Sequence, residues 1–182
     1  MRCKPVIVMP RATLLHDVFE GARVHPGGAC VESRHTRWRI GDGGRLALSA
    51  THPRQLIAHF DDDADLVMQV RHALGEHSHF TLYFDSTGLT NAALLTTQFD
   101  GEDVCESAMI EPGVALGVGT CPLANRWPYP TVNEVRIEGT EGSRLVIRQV
   151  TIADYGLPVK PRDEKRAPPG ALFLVTSPCT AR

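Results

Sequence analysis

No stretch of this 182-residue chain approaches the ~20 consecutive apolar residues of a membrane-spanning helix. Neither sign of charge dominates: Lys+Arg number 19 and Asp+Glu 21, a formal charge of −2 without a long run of one sign. That balance lacks the electrostatic footprint of a dedicated nucleic-acid binder. The cysteines, Cys3, Cys30, Cys105, Cys121 and Cys179, contain no Cys-x-x-Cys pair and are odd in number. This argues against a disulfide framework and a zinc knuckle and for reduced thiols. The segment from Met1 to Pro10 begins basic, but its apolar part falls short of the roughly 7–15 residues of a signal-peptide core. The expectation is a cytoplasmic protein with no nucleic-acid and no membrane partner.

What the chain has in abundance is alternation. In His79-Phe-Thr-Leu-Tyr-Phe-Asp-Ser-Thr-Gly88, the residues Phe80, Leu82 and Phe84 share one parity, while His79, Thr81, Tyr83 and Asp85 share the other. A period of two belongs to a half-buried antiparallel strand with one wet face. Val135 to Ile152 repeats the pattern with Val135, Ile137, Leu145 and Ile147, and then changes parity at Val150 and Ile152. A β-bulge near Arg148-Gln149 keeps both pairs inside. These nine apolar residues are the expected core, closed by residues 45–155.

Further strands follow from Arg45 to Ala50, Gln55 to Phe60, Asp65 to Arg71, Asn91 to Phe99 and Val104 to Ile110, the last two flanking the hairpin signal Asp100-Gly101. Glu138 to Gly142 reads as another turn joining two meeting strands. Gly113 to Gly119 alternates Val114, Leu116 and Val118 with small residues, the pattern of a strand with a closely approached face. Thr13 to Glu20 reads as the single short helix, with Thr13 as its cap, Leu14, Leu15, Val18 and Phe19 on one face, and Gly21 at its end. The sum is an all-β fold: an antiparallel two-sheet sandwich, jelly-roll-like, with one short N-terminal helix. One domain spans 1–157, and a Pro- and charge-rich arm spans 158–182.

Chemistry is sparse. Arg34, Arg37 and Arg39 read as a solvated strand face flanking Trp38, and Asp61-Asp62-Asp63 as a solvated turn, because its spacing is not that of a calcium loop. His72, His77 and His79 loosely resemble the metal motif of cupins, but the expected Gly and Glu are misplaced and Asp85 falls late. No metal and no cofactor are expected. Ser33 and Ser107 lack a nucleophile elbow, and Asp85, Glu106 and Glu134 are no more than the carboxylates any β protein carries. No catalytic residue is assigned. Asn125, Arg126, Trp127 and Tyr129 gather two rings, an amide and a guanidinium in one loop stiffened by Pro128 and Pro130, which suits a glycan.

The run Phe80-Thr-Leu-Tyr-Phe-Asp-Ser-Thr-Gly-Leu, with Val135-Arg-Ile-Glu-Gly and Leu145-Val-Ile-Arg-Gln-Val-Thr-Ile, resembles the β-sandwich accessory modules of bacterial polysaccharide-making glycosyltransferases, and carbohydrate-binding modules more widely. The resemblance covers residues 45–155 and carries over no binding residue. It implies a non-catalytic module whose partner is a glycan or a glycan-active enzyme. A virion-like jelly roll assembling as a homo-oligomer and a metal-dependent cupin-like enzyme are the alternatives.

Overall fold

The computed structural model describes residues 12–72, 78–99, 102–104, 108–124 and 131–154, and every regular element among them is a strand. In chain order these are β1 (Ala12–Asp17), β2 (Arg23–Val24), β3 (Cys30–Glu32), β4 (Arg37–Ile40), β5 (Gly44–Leu48), β6 (Leu56–Phe60) and β7 (Ala64–His72). They continue as β8 (Ser78–Gly88), β9 (Ala93–Phe99), β10 (Glu102–Asp103), β11 (Ala108–Ile110), β12 (Gly117–Pro122), β13 (Thr131–Gly139) and β14 (Ser143–Asp154). Sheet I runs β12-β8-β14-β6-β5 with β1 also on β14; sheet II runs β10-β9-β13-β7-β4-β3-β2 with β11 also on β9. All pairs are antiparallel, and from β6 to β9 and again from β12 to β14 successive strands alternate between the sheets, which makes the sandwich jelly-roll-like.

The core follows the alternation. Phe80, Leu82, Phe84, Val135, Ile137, Leu145, Ile147, Val150 and Ile152 are all buried. The register of β14 on β8 shifts between Ile147 and Gln149, so the bulge lies where the parity changes. The core also reaches N-terminal of residue 45, where Leu15, Phe19, Val31, Trp38 and Ile40 are buried in the same cluster. Trp38 is fully buried while Arg37 and Arg39 beside it are exposed, as is the whole aspartate triplet.

Two local expectations are corrected. Thr13 to Glu20 forms no helix: β1 pairs with the second half of β14, burying Leu15 and Asp17. A helix of two turns is marginal without tertiary support, whereas pairing here satisfies backbone groups of Val150 to Asp154 beyond the stretch of β14 that β6 covers. After β1, Phe19 adopts φ 58 with its ring fully buried. That left-handed conformation costs a non-glycine residue roughly 1–2 kcal/mol, offset by ring burial and by the Phe19 N–H donating to Asp17 Oδ1 at 2.8 Å.

Glu138 to Gly142, the second correction, closes no hairpin within one sheet. It is a corner carrying the chain from β13 in sheet II to β14 in sheet I. Gly139 lies on the Phe60 ring so closely that a Cβ would come 2.3 Å from Cε1, and Gly142 donates to Phe60 O at 2.7 Å. The hairpin at Asp100-Gly101 is seen in its flanks, since Phe99 pairs with Glu102. Residues 100–101, Cys105 and the 158–182 arm lie outside the described residues.

Candidate functional site

Pleating sends alternate residues of β8 to opposite faces, so that Phe80, Leu82 and Phe84 enter the core while His79, Thr81, Tyr83 and Asp85 point to the outer face of sheet I. β12 beside it turns only small residues and Cys121 inward. A Cβ on Gly117 would fall 2.1 Å from Phe84 Cε2, and one on Gly119 3.1 Å from Leu95 Cδ2. The glycines let β12 press onto the core, and its apolar side chains go outward instead: Val118 is 54% exposed and Leu116, just before the strand, 81%.

Register then builds the face in rows. Thr120, Thr81, Thr151 and His16 align across β12, β8, β14 and β1. The next row holds Val118, Tyr83 and Gln149. Thr81 and Thr120 approach with their hydroxyls 3.4 Å apart, and the side chains of Tyr83, Gln149 and Thr151 make no hydrogen bond among the described residues. At the bulge, Arg148 Nη2 donates to Ala115 O at 3.0 Å and to Asp85 Oδ2 at 3.4 Å.

Asp85 is held for a reason visible in its own turn. The Thr87 hydroxyl and N–H donate to Oδ1 at 2.6 and 2.9 Å. Those bonds, and then the guanidiniums of Arg148 and Arg144, keep the carboxyl below its ordinary 3.8 against the opposing effect of burial. A lowered folded pKa contributes stability that is present above the unfolded value and lost as pH falls through the folded one. The thermal midpoint should therefore fall on acidification below about pH 4, and an Asp85→Asn variant should show a shallower fall in the same pH series.

The outer face of sheet II differs. Arg136 bridges Asp65 at 2.9 Å and Glu134 at 3.5 Å, and Gln69 donates to Glu134 at 3.3 Å. Arg136, Asp65, Glu134 and Gln69 are tied to one another there, Thr96 Oγ1 and Arg136 Nε are buried without a partner among the described residues, and no aromatic side chain among the described residues points outward. Asp85 and Glu134 consequently stand on opposite surfaces of the sandwich and form no acid/base pair, and Glu106 lies outside the described residues. His79 is half-buried on the sheet I face, while His77 lies outside the description; among the described residues no three His, Cys, Asp or Glu side chains converge as a ligand set. Ser33 Oγ is engaged with Asp17 and Thr36.

Asn125, Arg126, Trp127 and Tyr129 all lie outside the described residues. At their loop's first foot, buried Asn133 accepts from Ala124 N at 2.9 Å and donates to Ala124 O at 3.0 Å, tying that foot to β13. The alternation in β8 marked Tyr83 as wet from sequence. Thr151 carried the same signal, being of opposite parity to Val150 and Ile152, but His16 was hidden by the helical reading.

No family model matches the sequence, and no curated protein matches it. Among solved structures, the chain is similar to the CBM22-1 xylan-binding domain from Paenibacillus barcinonensis Xyn10C, with TM-score 0.52 and 11% identity over 86% of this chain and 99% of that one. It is similar to the xylan-binding domain from CBM 22, with TM-score 0.51 and 14% identity over 82% of this chain and 99% of that one. Against the CBM22-1 and GH10 modules of Clostridium thermocellum endo-1,4-β-D-xylanase 10B complexed with xylohexaose, the TM-score is 0.52 at 14% identity. That match covers 83% of this chain and 30% of that one, so the chain spans less than a third of the two-module protein. At these identities the likeness shows the fold: a β-sandwich with the architecture of carbohydrate-binding modules.

Proposed function

We propose that this chain is a non-catalytic carbohydrate-binding module whose ligand lies across the outer face of sheet I. A sugar presents an apolar C–H face ringed by hydroxyls, so its receptor needs a flat or aliphatic platform bordered by hydrogen-bonding groups. The observation that carries the reading is the Val118, Tyr83, Gln149 row lying beside Thr120, Thr81 and Thr151, with the Tyr83, Gln149 and Thr151 side chains uncommitted. On the outer face of sheet II, Arg136, Asp65, Glu134 and Gln69 are tied to one another, and no aromatic side chain among the described residues points outward. The xylan-binding domains that share the fold support the reading. The xylanase that joins such a module to a GH10 module supports a place beside a glycan-active enzyme, as does the resemblance to glycosyltransferase accessory modules. In this reading Asn125, Arg126, Trp127 and Tyr129 extend the platform from the loop after β12.

The test is a glycan array followed by calorimetric titration of the best binder. Truncating an aromatic anchor at the centre of a binding surface costs ~2 kcal/mol or more, about 30-fold in Kd. Tyr83→Ala should weaken binding by that factor while the fold persists, with Trp127→Ala in the same titration testing the loop. A wild-type chain that binds no glycan in a broad panel, or a Tyr83→Ala variant with unchanged Kd, overturns the assignment.

A further inference from the structure

The side of the sandwich where β1 edges sheet I and β2–β3 edges sheet II holds a cavity of about 450 Å³. It opens beside His16, the last member of the Thr120, Thr81, Thr151 row. The lining sets the carboxylates of Asp17, Glu20 and Glu32 against the guanidiniums of Arg23 and Arg34, with His35 on the rim turn. Asp17 is already occupied, accepting from Phe19 N and from the hydroxyls of Ser33 and Thr36. Glu32 lies opposite Arg23 in the β2–β3 register, yet its carboxylate is taken by His25 Nε2 at 3.0 Å. The side chains of Arg23, Arg34, His16, His35 and Glu20 make no hydrogen bond or ion pair among the described residues.

Unengaged donors, together with an unengaged carboxylate acceptor, match a ligand that both accepts and donates, as a sugar hydroxyl does. The lining has no excess of positive charge that would favour an anion, and with Asp17 and Glu32 already engaged, Arg23 and Arg34 outweigh the one open carboxylate, Glu20, against a cation. We infer that this cavity is an end subsite for a neutral glycan, filled by the part of the chain that runs past His16 off the sheet I face. The inference rests on the glycan reading of that face and adds a length requirement. At ~4.8 Å between strands, the row from β12 to β1 spans about 14 Å, so only a ligand longer than that span reaches the cavity.

Calorimetric titration with xylobiose and xylohexaose separates the two claims. Wild type should bind xylohexaose at least tenfold more tightly than xylobiose. An Arg23→Ala, Arg34→Ala double variant, both positions being exposed, should lose about tenfold on xylohexaose and nothing on xylobiose. Tyr83→Ala should weaken both. Equal wild-type affinity for the two probes, or full xylohexaose affinity in the double variant, overturns the end subsite and leaves the face standing. Tenfold tighter binding of a glucuronate-bearing xylo-oligosaccharide than of xylohexaose overturns its assignment to a neutral ligand. A wild type that binds neither probe overturns the subsite as stated, and the glycan array then decides the face separately.

Discussion

Leu82→Ala is expected to destabilise the sandwich by about 2–5 kcal/mol, the range for emptying a leucine site in a packed core. Leu82 is fully buried in β8, opposite Gly119 on one side and Val150 on the other. Neither neighbour fills the gap readily. Gly119 has no side chain to move, and Val150 is fixed by the bulge that restores its parity. Urea denaturation should show a lower midpoint with an unchanged slope, because the folded and unfolded surfaces barely differ. A midpoint equal to that of wild type would remove Leu82 from the core and with it the orientation of Tyr83, since adjacent strand residues face opposite ways.

The second large effect is expected at Asp17. Its carboxylate is 2% exposed and accepts from Phe19 N at 2.8 Å, from Thr36 Oγ1 at 2.6 Å and from Ser33 Oγ. Thr36 Oγ1 in turn accepts from Trp38 Nε1 at 3.0 Å. One carboxylate thus ties the end of β1 to the turn between β3 and β4 and completes the polar edge of a fully buried tryptophan. Hydrogen bonds to a charged group contribute ~1.5–3 kcal/mol each, and donors left behind in the interior add their own desolvation cost. Asp17→Ala should lose at least ~3 kcal/mol and alter the near-ultraviolet circular dichroism of Trp38. Asp17→Asn keeps one acceptor oxygen and should fall between. A stability change within ~0.5 kcal/mol, as for ordinary surface substitutions, would contradict the network.

Much of this architecture is written locally. Alternation in 79–85 and 135–152 identifies strands and their inward side chains, because a residue's face is set by parity alone once a segment is extended. The parity change after Ile147 locates the bulge for the same reason. Charged neighbours around Trp38 and three consecutive aspartates also read correctly, since unpaired charged side chains stay in water wherever the chain goes.

Other features depended on distant segments. Leu14, Leu15, Val18 and Phe19 satisfy a helical period, and the decision for β1 came from unpaired backbone on β14, more than a hundred residues away. Glu138 to Gly142 signals a reversal in either case; the packing of Gly139 on Phe60 made it a corner between sheets. The candidate face was least legible of all. Thr120, Thr81, Thr151 and His16 form one row only because β12, β8, β14 and β1 pair in a particular register, and cross-strand register is a property of the assembled sheet.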